Sequence, residues 1–160
     1  MSWRTRWRGD RGSVSIEVAV LAPAFLGLLV LAGVVGRTAV ADEAIDSAAH
    51  DAARAASMSR DHVTARSAAE TAVQDRLNLD GLTCESVPQV LVDGIVANQV
   101  TSIEEAFNTP LGTNVSIRVI VRCLVSYEDL TMVALNLDAG SLREATFVSP
   151  LDRYRSRSGS

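Results

Sequence analysis

Residues 18–36 form a run of nineteen without an ionisable side chain, and this run constrains the fold more than any other feature. With residues 13–17 in front it gives a helix of about 36 Å at 1.5 Å per residue, enough to cross a bilayer. The flanks set its direction. Arg4, Arg6, Arg8 and Arg11 precede it, whereas Arg37 is followed by Asp42, Glu43 and Asp46, so the N-terminus is expected inside and the remainder outside the cytoplasm. Trp3 and Trp7, set among the arginines, suit the headgroup layer. The bilayer lipid is thus the first partner the sequence implies.

One residue interrupts the apolar stretch 13–36. Glu17 places a carboxyl about one turn into the apolar helix, where a charge costs a few kcal/mol unless it is paired or reaches the headgroups. Read backwards from it, Gly12-Ser13-Val14-Ser15-Ile16-Glu17 sets a glycine five residues before a glutamate at the head of a hydrophobic helix, behind a basic leader. This resembles the type IV prepilin processing site. The resemblance implies cleavage after Gly12 by a membrane-embedded prepilin peptidase, a new α-amine on Ser13, and Glu17 as fifth residue of the mature chain. A fresh amine at the head of an apolar helix needs a counter-charge, and Glu17 can supply it to its own chain or to a neighbour.

A secretory signal cut after Ala39-Val40-Ala41 is the competing reading, since small-x-small precedes Asp42. A 41-residue leader with Arg37 inside it is long for that purpose, and an uncut anchor fits better. Pro23 removes one backbone donor within the span and is expected to bend it, while Gly27, Gly33 and Gly36 leave places where another helix can approach.

Beyond Gly36 a stripe at Ala41, Ile45, Ala48, Ala52, Ala55 and Ser59 keeps helical spacing, and packs either on another helix or on the chain's own sheet. Ser57–Asp61 interrupts it, with Ser59 or Asp61 capping a second piece to about Leu79 whose inward residues are Ala65, Ala69, Val73 and Leu77. After Asp80-Gly81 the period changes to two. A strand is expected over residues 87–92, a hairpin turn at Asp93-Gly94 before Ile95-Val96, and a surface loop over 101–114. The clearest strand buries Val115, Ile117, Val119, Val121, Cys123 and Val125, and a last one covers residues 142–148. Asp129 to Leu135 reads as a short capped helix or compact turn. Cys84 and Cys123 fall in the exterior part, where an oxidising compartment favours one disulfide over two buried thiols, worth about 4 kcal/mol for a loop of about 40 residues.

The expected fold is therefore α+β: leader 1–12, transmembrane helix 13–36, Ala-rich helical stalk 37–79, small antiparallel β head 80–150 and tail 151–160. Residues 37–160 hold eleven arginines and seventeen acids, so no basic face exists for nucleic acid. His50 and His62 are twelve residues apart and match no zinc pattern, and no nucleophile–base pair or phosphate-cradling loop stands out, so no cofactor and no catalysis are expected.

Taken in order, Arg11 to Glu17, the apolar helix with Pro23, the alanine run, the cysteine in a valine-alternating strand and the closing Ala145 to Arg155 resemble the TadE/TadG-like family of pilus-assembly proteins. Members usually carry an aromatic after the glutamate, where this chain has Val18. The resemblance implies a minor, pilin-like pseudopilin of the tight-adherence system, with other pilin-like subunits and the Tad assembly platform as partners. A single-pass anchored sensor or ligand-binding module is the alternative that the residues alone leave open.

Overall fold

The computed structural model describes residues 13–125 and 140–154. The basic leader with Gly12, the expected turn at 129–135 and the last residues of the tail lie outside the described residues. Two compact units are present, Met1–Thr38 and Ala39–Ser160.

Helix α1, Ser13–Met58, supplies all that is described of the first unit. Its apolar side chains there are exposed on every side, with Ile16 at 68%, Phe25 at 67% and Leu29 at 58%. A helix that is apolar all round and covered by none of the described residues suits a lipid environment. It is long and apolar enough to cross a membrane, and Pro23 lies within it without ending it.

In the second unit the rest of α1 and helix α2, His62–Leu79, share a core with a four-stranded antiparallel sheet. α1 stops because Ser59 turns its N–H back to the Ala56 carbonyl and Asp61 adopts an extended conformation. Asp61 then caps α2, its carboxylate accepting from the Thr64 N–H at 2.8 Å and the Thr64 hydroxyl at 2.7 Å. α2 ends in a Schellman motif: Gly81, at φ +65°, donates to Asn78, and Leu82 donates to Leu77. Ala65, Ala69, Val73 and Leu77 are its buried face, as their spacing requires. On α1 the buried row is wider than expected, adding Ala44, Ala49, Ala53 and Ala56, while Ala55 and Ser59 are only half-buried. An untwisted helix drifts against a 3.5-residue repeat, so burial passes from Ala52 to Ala56.

The strands are β1 Gln89–Val96, β2 Gln99–Ser102, β3 Val115–Val125 and β4 Ser141–Pro150, in the order β2-β1-β3-β4. β3 alternates strictly, its odd-numbered residues buried under the helices. Three contacts lay α1 along β4: Asp42 with Arg143 at 3.1 Å, His50 edge-on to Phe147 at 4.5 Å, and the Ser57 and Ser149 hydroxyls at 2.9 Å. Both numbers rise together, so helix and strand run in the same direction.

The structure corrects three expectations. β1 runs straight through Asp93-Gly94, and the hairpin turns instead at Ala97-Asn98, both at positive φ. Gly94 is required for a different reason: a Cβ there would overlap the Ala106 methyl and lie 3.0 Å from the Ser102 carbonyl oxygen. The expected loop over 101–114 holds the end of β2 and a short helix α3, Ile103–Phe107, capped by Ser102 and burying Ile103, Ala106 and Phe107. The strand expected from residue 87 begins at Gln89, leaving Val87 exposed. Cys84 and Cys123 are disulfide-bonded, Cα to Cα 5.5 Å, and Glu85 donates to Leu124 at 2.8 Å, so the chain after α2 is fastened to the end of β3.

Candidate functional site: the apolar helix and its carboxylate

Glu17 is on α1 and exposed, between Ile16 and Val18, whose apolar side chains are equally uncovered. Four residues, about one turn, separate it from Ser13, the first residue of the helix. The arrangement is a carboxylate on an otherwise apolar cylinder, able to accept charge-assisted hydrogen bonds from an amine one turn away or on an adjacent helix. Gly27, Gly33 and Gly36 have no described atom within 4 Å of where a Cβ would stand, so their backbone is open to a neighbour. One N-terminal helix of this kind fits a single-pass membrane anchor.

The head offers open clefts. One, about 900 Å³, lies at the β1–β2 turn and is bordered by Asn98, Asn114, Asp152, Arg153 and Tyr154. Asn114 accepts a hydrogen bond from Arg153, and the Arg153 carbonyl accepts from the Gly112 N–H, so these polar groups hold the tail. A second cleft, about 490 Å³, holds His50, hydrogen-bonded to Asp51 at 3.2 Å and seated against Phe147. Among the described residues no group of three or more His, Cys, Asp or Glu side chains is placed to hold a metal ion. His62, the other histidine, opens α2.

Asp61 is the described acid whose titration is shifted: the Thr64 N–H and hydroxyl hold it below the usual carboxylate range. Its role is to start α2.

The decisive likeness lies in the helix. Residues 12–54 match the family model of TadE-like proteins. The TadE-like segment starts at Gly12, takes in Glu17 and Pro23, and ends at Arg54 within the alanine rows. The sheet and the disulfide lie beyond it. No curated protein and no solved structure matches the chain. Of the residues singled out in the sequence, Ser13, Glu17 and Pro23 share one helix, whereas Cys84 and Cys123 belong to the head.

Proposed function

We infer that the chain is a minor pilin-like subunit of a Tad-type pilus system, anchored by one helix, with its head outside the cytoplasm and without catalysis of its own. The observation that carries this reading is the TadE-like segment opening at Gly12 with Glu17 on an exposed, otherwise apolar helix. Cleavage after Gly12 by a prepilin peptidase would give Ser13 a free amine one turn from Glu17. In a membrane that carboxylate finds its partner there or on the amine of an adjoining pilin-like helix, and a charge matched across two helices sets their axial register. Lipid, other pilin-like subunits and the Tad platform are the partners of this reading.

Glu17→Ala is expected to abolish surface fibres while the head keeps its disulfide, as counted by electron microscopy and read on non-reducing gels. Normal piliation of the variant would sink the reading and favour an anchored sensor or binding module. N-terminal sequencing of protein from its native membrane supports the processing step if it starts at Ser13. A start at Asp42 indicates a secretory signal, and Met1 an uncut anchor.

A further inference from the structure

The β1–β2 turn, the start of β3 and the residues after β4 meet at one end of the head, around the open cleft of about 900 Å³. That volume lies within the range of about 300–1,000 Å³ usual for small-molecule sites. Its base is apolar, with Val115 and Leu151 buried and Ile95 half-buried. Its border is polar and sits on short segments that are tied down. Asn98 is held at φ +66° in the two-residue turn between the paired Val96 and Gln99. The Leu151 N–H donates to the Val115 carbonyl and the Gly112 N–H to the Arg153 carbonyl, each at 2.9 Å, so the chain beyond β4 is fixed as well. The Arg153 guanidinium occupies only the oxygen of the Asn114 amide, leaving its NH2 and the whole Asn98 amide to donate and accept. Tyr154 comes next and is 84% exposed, so the described residues leave its ring largely uncovered.

The chemistry of the lining selects among ligands. Its charged members are one carboxylate, Asp152, and one guanidinium, Arg153, so it carries no net charge and has nothing to concentrate a phosphate or a polyanion. Peptides are commonly captured along a strand edge or by an apolar anchor pocket, whereas this cleft opens at a turn and past a strand's end. A neutral sugar ring matches what remains. Its neighbouring hydroxyls each donate and accept, which suits two planar amides and the Ser116 hydroxyl. Its carbon skeleton has an apolar face, which suits an exposed phenol ring with a polar tip.

We propose that this cleft binds a neutral oligosaccharide, one pyranose ring stacked on Tyr154 and its hydroxyls hydrogen-bonded by the Asn98 and Asn114 amides. Binding at a single site is weak, because the cleft is open and most sugar hydroxyls keep their water. This ligand is independent of the assembly reading, since the apolar residues 18–36 take no part in the cleft.

Full-length chain in phosphatidylcholine nanodiscs is titrated with cellotriose, maltotriose and triacetylchitotriose, and with trigalacturonate as an acidic control, by saturation-transfer NMR. At least one neutral trisaccharide is expected to give saturable transfer with a millimolar Kd, and trigalacturonate none. Tyr154→Phe keeps the ring and should leave the affinity within about twofold, whereas Tyr154→Ala should weaken it about tenfold. Asn98→Gly suits the positive φ of the turn, so the head folds, and loss of the amide should also weaken binding about tenfold. Unchanged urea midpoints and a retained Cys84–Cys123 bond show that the variants fold. No saturable binding of any neutral probe, equal binding of trigalacturonate, or an affinity unmoved by Tyr154→Ala or by Asn98→Gly each overturns the proposal. So does binding seen only after residues 155–160 are removed, which would assign the cleft to the chain's own tail. The measurement uses purified protein and needs no fibres, so it fails separately from the Glu17 test.

Discussion

Gly94 and Asp61 do different work from their neighbours. An alanine at 94 must displace Ala106 or the Ser102 carbonyl, and both are fixed, one within α3 and one at its N-cap. Gly94→Ala should destabilise the head by about 1–3 kcal/mol, read as a lower urea midpoint with unchanged slope. Asp61 accepts these hydrogen bonds from Thr64 more strongly as a carboxylate than as a neutral acid. Its pKa is depressed in the folded state, first by the Thr64 N–H, so its contribution is complete above the unfolded value of about 3.9 and is lost as pH falls through the lower folded value. Asp61→Asn keeps the cap and should flatten the acid-side fall in stability, measured by urea unfolding from about pH 5 downward. The cap was legible in the sequence because Asp61 precedes an apolar period. The purpose of Gly94 was not, because the Asp-Gly pair is a turn signal by local chemistry and only the arrival of Ala106 from ten or more residues away reveals the close approach.

Among the elements, those with a sustained period were readable and those without were not. β3 and the inward face of α2 have the residues their spacing demands. α3 spans five residues, too few to show a helical period, and its Ile103 and Phe107 read as loop until the structure buries them. The hairpin turn was missed for a related reason: Ala97 at φ +49° carries a Cβ where glycine or asparagine is usual. Ala97→Gly relieves that crowding and should stabilise the head by up to about 1 kcal/mol, seen as a raised thermal midpoint. Asn98, at φ +66°, already suits its place.

At the scale of the whole molecule, the charge asymmetry and the apolar run of nineteen residues announced the anchor, whereas the pairing of α1 with β4 was not visible. Helix and strand meet through small side chains and single polar contacts that leave no pattern in the chain. The long-range constraint that the sequence did disclose is the disulfide, closing 39 residues of separation between the end of α2 and β3. Cys84→Ser with Cys123→Ser should lower head stability by about 4 kcal/mol, measured by chemical denaturation against the oxidised parent.

That bond also makes the head a recorder of its own journey. A thiol pair stays reduced in a cytoplasm and closes only after export, so under the proposed topology the oxidation state of Cys84 and Cys123 in a freshly lysed, alkylated cell would report how many copies have crossed the membrane. In a time course after a pulse of synthesis, closure of the bridge would date the proposed translocation, and appearance of a Ser13 terminus would date the proposed cleavage. The interval between the two events orders export and processing without any added label on the head.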